Sequence, residues 1–234
     1  MKTYLSFGGG VNSVALMLLL LDEGWEFEAV MSDTGCERPE TYKYYDLLTS
    51  KGYPVKKITP ESGGFTNLYD YCWHYQMVPS RRPAWCSIKF KQVPLKAYYE
   101  KPCFELLGID AGESHRARMS STEGVESRWP LIEWGVDRQG CIDAIKAHGL
   151  PVPVRSGCYI CPNQTYRQWK ELRKNHPDLF CKAIQLEKRN VEYQKSKGRK
   201  VGYLDSNGKP LEIIVEEDQY ELWEEMRPPC HCGR

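Results

Sequence analysis

The sequence predicts an α/β fold: a doubly wound, mostly parallel sheet with helices on both faces, followed by a helical and hairpin C-terminal extension. Two observations carry this. Short apolar runs alternate with longer helix-like segments through the first 110 residues, the pattern of a parallel sheet whose crossovers are helices. Three consecutive glycines, Gly8, Gly9 and Gly10, stand at the first strand-to-helix junction, and in such sheets ligands bind beyond the carboxyl ends of the strands.

In chain order, "KTYLSF" reads as a strand, "NSVALMLLLLDEG" as a helix closed by Gly24, and "EFEAVMSD" as a second strand. "RPETYKYYDLLTSKG" is helical, with Pro39 in its first turn and Gly52 past its end. "YPVKKIT" is a further strand, "FTNLYDYCWHY" and "VPLKAYYEK" are helices, and "CFELLGID" is a strand running into a loop. "DRQGCIDAIKAHG" is a helix and "LPVPVRSGCYICPN" a loop. Residues 164 to 189 are helical with an interruption at Pro177. "VGYLDSNGKPLEIIV" is expected to form a hairpin turning at Asn207-Gly208. The expected organisation is residues 1–165 as one α/β domain that includes Cys158-x-x-Cys161, and 166–234 as a helical and hairpin extension with a cysteine-rich tail, packed on the same domain.

With 41% hydrophobic and 27% charged residues and a formal net charge of +1, the composition is that of a globular chain without general electrostatic affinity for nucleic acid or membrane. The longest wholly apolar run, Val14 to Leu21, is too short to span a bilayer, and no signal-peptide layout follows it. The expected location is cytoplasmic. Ten cysteines in such a compartment point to metal binding, catalysis or burial rather than disulfides. Cys103, Cys141, Cys36 and Cys72 read as packed thiols. The basic stretch Lys182 to Lys200 reads as a solvated helix face.

The glycine loop is neither a Walker motif nor a dinucleotide fingerprint, because no Gly-Lys-Ser/Thr follows and the Gly-x-Gly-x-x-Gly spacing fails at Ser13. Glycine lets an anion approach backbone amides, and the helix start supplies oriented N–H groups. "SFGGGVNS" resembles the pyrophosphate loop, Ser-Gly-Gly-x-x-Ser, of the adenine nucleotide alpha-hydrolase (PP-loop) superfamily, with Gly8 where serine is usual. "DTGCERPETY", "GIDAGESHRAR" and "WPLIEW" with the approach to Cys158-x-x-Cys161 resemble, in order, segments of the phosphoadenosine phosphosulfate (PAPS) reductase family. The resemblance covers roughly residues 3 to 165. It implies nucleotide binding by Ser6, Gly8, Gly9, Gly10, Asn12, Ser13, Asp33, Thr34, Gly108, Glu113, Ser114 and Arg116. Asp33 and Thr34 would meet ribose or adenine, the alternative for Asp33 being a helix cap. Arg116 would meet phosphate or sulfate oxygens. Asp110 departs from the family, which carries a basic residue there; Arg81 and Arg82 are candidates to compensate.

Cys158-x-x-Cys161 is the strongest metal-ligand signal, two thiolates that can grip one ion from a tight turn. By the resemblance, Cys86 falls on a third cluster position and Ser87 on the fourth. The fourth thiol is then Cys230, Cys232 or Cys181, or the iron stays open. The expected cofactor is an iron–sulfur cluster of the 4Fe–4S kind, with zinc, and His231 as a further ligand, the alternative. The C-terminal His231-Cys232-Gly233-Arg234 keeps only the Cys-Gly of the family's Glu-Cys-Gly-x-His end. Cys232 is therefore a candidate nucleophile, with metal ligation the competing role.

The implied function is an enzyme that holds an adenine nucleotide on the loop and reduces a sulfonucleotide, with a dithiol as electron donor. The alternative is ATP-dependent sulfur transfer to a small molecule or nucleic acid, releasing pyrophosphate and drawing on a sulfur donor. A third reading is a nucleotide-binding protein without catalysis.

Overall fold

The structure, a computed structural model, describes residues 1–205 and 207–214. In chain order the elements are β1 (Lys2–Ser6), α1 (Val11–Asp22), β2 (Glu28–Ser32), α2 (Pro39–Ser50), β3 (Val55–Ile58), α3 (Leu68–His74), α4 (Trp85–Ser87), α5 (Val93–Tyr98), β4 (Cys103–Leu107), β5 (Val125–Arg128), α6 (Pro130–Glu133), α7 (Arg138–Ala147), α8 (Tyr166–Asn175), α9 (Pro177–Ser196) and α10 (Leu211–Ile214). A π-helical turn, Ile88–Gln92, joins α4 to α5, and a 3₁₀ turn, Ala111–Arg116, follows β4. No helix among the described residues is long and apolar enough to cross a membrane.

The chain parts into two compact units, residues 1–60 with 90–157, and 61–89 with 158 onward. This cut differs from the 1–165 and 166–234 expected from chain order. The segment holding α3 and α4 groups with the C-terminal helices, and the Cys158-x-x-Cys161 turn goes with them.

The first unit is a five-stranded, wholly parallel sheet in the order β3-β2-β1-β4-β5. Strand alternation gives each face its own core. Leu5 packs on one side with Val14, Leu16, Met17 and Leu18 of α1, Leu48 of α2 and Ile145 of α7. Tyr4 packs on the other with Val30, Leu95 of α5, Tyr99 and Val125, its ring stacked on that of Tyr99 at 4.5 Å. Helix α1 is apolar nearly all round because the sheet and α7 enclose it. Both faces are therefore covered, as a parallel sheet requires. The edge strand β5 escapes a reading of the sequence: "VESR" is four residues long with three of them polar, and Arg128 lies 3.9 Å over the Phe104 ring of the neighbouring strand.

The second unit is helical among the described residues. Helix α8 starts with a capping box between Thr165 and Gln168, and it parts from α9 at His176, just before Pro177. The expected hairpin at 201–215 is not formed among the described residues: Gly208 closes a turn onto the Asp205 carbonyl (3.1 Å), and residues 211–214 are helical. The backbone is engaged by α9 instead. The Glu187 carboxylate accepts the Leu204 and Leu211 amides, each at 2.8 Å, and the Asn190 side chain donates to the Gly202 carbonyl at 2.6 Å. These partners replace the cross-strand ladder that the Asn-Gly signal would require.

Candidate nucleotide site and cysteine set

The strand order reverses at β1, with β2 added on one side and β4 on the other. A crevice opens at such a switch point, beyond the carboxyl ends of the two strands. The glycine loop leaves β1 there. Gly9 takes a left-handed φ of +69°, a conformation costly for residues with a Cβ. The Gly10 carbonyl accepts the first helical bond, from the Val14 amide (3.0 Å), and also the Ser13 hydroxyl (3.0 Å). The Gly8 amide donates to Ser13 Oγ at 3.3 Å. Ser13 thus braces the loop from within. The amides of Val11, Asn12 and Ser13 are left at the helix start without an intrahelical acceptor, where the helix dipole favours an anion.

Gly108, just past β4, fixes the other wall. A Cβ there would lie 2.9 Å from the Ser13 nitrogen and 3.0 Å from both the Asn12 carbonyl carbon and the Ser13 Cα. Only a hydrogen fits between the two backbones. Two residues on, Asp110 is buried and its carboxylate accepts from Asn12 Nδ2 at 2.9 Å; Arg138 in turn donates to Asn12 Oδ1 at 2.8 Å. The acidic residue that breaks the family pattern therefore orients the Asn12 amide, and Arg138 supplies a cation at the end of the same chain. Asp110 also adds to the burial that raises the neighbouring Cys141 thiol to about 12.

Asp33 sits past β2. It accepts from Tyr42 Oη (2.7 Å) and the Gly35 amide (2.9 Å), with Lys57 at 3.5 Å. Burial, then the bond to Asp33, raises the Tyr42 phenol well above its ordinary range. Thr34 is buried and donates to Glu37, whose carboxylate pairs with Lys91 at 2.9 Å. Glu113 and Arg116 form an ion pair on the 3₁₀ turn, while Ser114 is exposed. Ser6 shares a hydrogen bond with Tyr99. All twelve sequence-read nucleotide residues lie in the first unit. Two residues of this region escaped the sequence reading. Ser156 has its hydroxyl 2.9 Å from where a Gly10 Cβ would be, and Arg138 is a first-turn residue of α7. Neither stands in a motif.

The cysteines of the second unit make a separate set. Cys158 and Cys161 flank a turn closed by the Cys161 amide on the Cys158 carbonyl (3.0 Å), and Gln164 donates to the Tyr159 carbonyl at 2.9 Å. Cys86 is on α4 and Cys181 is exposed on α9. No group of three or more His, Cys, Asp or Glu side chains gathers as a metal site among the described residues. The described thiols do not by themselves fit a cluster. Cys230, His231, Cys232 and Arg234 lie outside the described residues. Cys36, Cys72, Cys103 and Cys141 are buried, as packed thiols should be.

No family model matches the chain. It is 24% identical over 204 residues to an uncharacterized protein of Methanocaldococcus jannaschii, 79% of this chain and 47% of that one. A second uncharacterized protein of the same organism is 24% identical over 198 residues, 76% of this chain and 39% of that protein. The chain thus spans less than half the length of either. It is 25% identical over 183 residues to phosphoadenosine 5′-phosphosulfate reductase of Proteus mirabilis, 71% of this chain and 72% of the reductase. Among solved structures, phosphoadenylyl-sulfate (PAPS) reductase from Candida auris, in its phosphate complex, matches with a TM-score of 0.50 at 14% identity, over 65% of this chain and 75% of that one. The chain resembles PAPS reductases in sequence and shares their α/β fold.

Proposed function

We propose that the first unit binds an adenine nucleotide and that the protein is a sulfonucleotide reductase of the PAPS reductase kind. The observation that carries this is the junction at the switch point. Gly108 presses against the backbone of Asn12 and Ser13, while Ser13 braces Gly8 and Gly10, so a row of helix-start amides is held rigidly where phosphoryl oxygens would lie. Arg116, held by Glu113, and Arg138, held through Asn12, are the cations for the remaining charge. Asp33 and Thr34 serve the nucleoside end.

In the reduction, the Cys232 thiolate bonds to the sulfate sulfur as the bond from that sulfur to the phosphate oxygen breaks. The nucleotide leaves with the electron pair. A dithiol then releases sulfite and ends as a disulfide, which restores the Cys232 thiol. An iron–sulfur cluster on Cys158, Cys161 and Cys86 with a further thiol remains a separate proposal, and no step above depends on it. Anaerobic purification tests it, since a brown protein that stays brown as Cys158→Ala refutes the ligand assignment.

One observation favours ATP-dependent sulfur transfer as the second reading. Asp110 puts a carboxylate beside the loop, on Asn12, where a sulfonucleotide site gains from a cation. Calorimetry with ATP and with PAPS, followed by product analysis, separates the readings. Sulfite release with a dithiol supports reduction, pyrophosphate release supports transfer, and binding with neither product leaves a non-catalytic nucleotide-binding protein. No heat with either nucleotide overturns the site itself.

A further inference from the structure

The net charge of +1 is spread unevenly along the chain. The first unit carries fifteen Lys and Arg against seventeen Asp and Glu; the second, residues 61–89 and 158–234, carries seventeen against fourteen. Many of the second unit's cations fall in one stretch. From Lys188 to Lys200 there are six cations and a single carboxylate, Glu192. Of the six, Lys188 is paired with Glu212 at 2.7 Å.

The same unit leaves aromatic rings at its surface. The end of α3 presents Trp73, 38% exposed, His74, also exposed, and Tyr75, 46% exposed. Behind them Phe65, Tyr71 and Trp85 form a continuous set of ring contacts, Tyr71 to Tyr75 at 4.6 Å and Tyr71 to Trp85 at 5.6 Å. Exposed clusters of large apolar rings are uncommon on a surface without a partner. Here the two features meet. Arg189 of α9 lies 4.6 Å over the Trp73 ring and donates from Nε to the Trp73 carbonyl at 3.0 Å, which ties the cationic helix to the aromatic end of α3.

We propose that this face of the second unit docks single-stranded nucleic acid, with bases stacking on the rings at the end of α3 and phosphates running along the cations from Lys188 to Lys200, at and past the end of α9. A polynucleotide strand is the partner that uses both halves: every base offers a π-face, and every nucleotide carries a negative charge. An acidic peptide would use the cations and leave the rings idle. The proposal is independent of the nucleotide reading of the first unit.

The test is fluorescence anisotropy of a labelled strand of about twelve nucleotides, as DNA and as RNA, with the full chain. Binding is expected for at least one of the two, weaker for a duplex of the same sequence, and falling with salt at a log–log slope of about −2 to −3, the value for three or four phosphate contacts. Trp73→Ala is expected to weaken binding about tenfold. Because Trp73 also packs on Arg189, a second variant, Lys195→Glu/Lys197→Glu/Lys200→Glu, changes exposed side chains only; it should weaken binding by a similar factor, lower the salt slope and leave thermal unfolding unchanged. The proposal is overturned if neither strand binds, if both variants bind as the parent does, or if polyglutamate displaces the strand as well as unlabelled strand does.

Discussion

The two units differ in what their chemistry is made of. In the first, the candidate site is mostly backbone: three glycines, a helix start, and a fourth glycine pressed against it, in a unit with slightly more acids than bases. In the second, the notable features are side chains, a cluster of aromatic rings and a run of cations at and past the end of α9. An anion held by rigid amides needs little net charge, because the amides are already aimed at it. A surface that meets a long polyanion does need net charge. Charge summed over the whole chain is thus a poor guide to either unit.

The sharpest way to break the first half of that comparison is Gly108→Val. The added carbons meet backbone that has no room to yield, so the loss of stability should exceed about 3 kcal/mol, beyond the usual cost of overpacking. Nucleotide binding should vanish with it; calorimetry and thermal unfolding read both. Retained binding would mean that the junction is not the site.

Next in size is a pH effect confined to the second unit. Burial raises the Glu187 carboxyl to about 7, against the bonds from Leu211 and Leu204 that favour its ionised form. The folded state therefore holds a proton that the unfolded chain releases above its ordinary value near 4.5. The resulting stability is full below pH 4.5, declines as pH rises to about 7 and is gone beyond. The change should be about 3 kcal/mol across that window. Thermal unfolding between pH 4.5 and 8 should show the decline in the parent and a nearly flat profile in Glu187→Gln.

Arg116→Met should leave the fold of the first unit in place while weakening nucleotide binding about tenfold, the scale of one charge-assisted hydrogen bond. An affinity unchanged by this substitution would assign Arg116 to its Glu113 pair alone. The smallest effect belongs to His148 at the end of α7, which bonds the Ala144 carbonyl and, at 3.1 Å, Asp22 at the end of α1. The carbonyl first, then Asp22, raise its pKa, so its contribution is complete below about pH 6.5 and is lost as pH rises through the folded value. Asp22→Asn should remove less than about 1 kcal/mol at pH 6 and almost nothing at pH 8, measured by denaturant unfolding.

Much of the first unit was legible in the chain order of its residues. The strands and helices of this unit from Lys2 to Leu107 follow from local periodicity, and the glycine loop from its position at a strand-to-helix junction, whereas α4 of the second unit was not read. Strand β5 was not legible, since four residues, three of them polar, carry no periodic signal and owe their conformation to pairing with β4. The hairpin expected at Asn207-Gly208 failed for a related reason: Glu187 and Asn190, far back in the chain, supplied partners that outcompeted a local turn preference.

What the amino-acid order determined by itself was therefore the α/β class and most elements of the first unit up to Leu107, because these depend on short-range periodicity. Tertiary structure alone decided that Gly108 closes on α1, that Asp110 and Arg138 share Asn12, that residues 61–89 group with the C-terminal helices, and that Arg189 reaches Trp73. Each of these brings together residues distant in the chain, and no local pattern encodes a contact whose two halves are folded into place by the packing of everything between them.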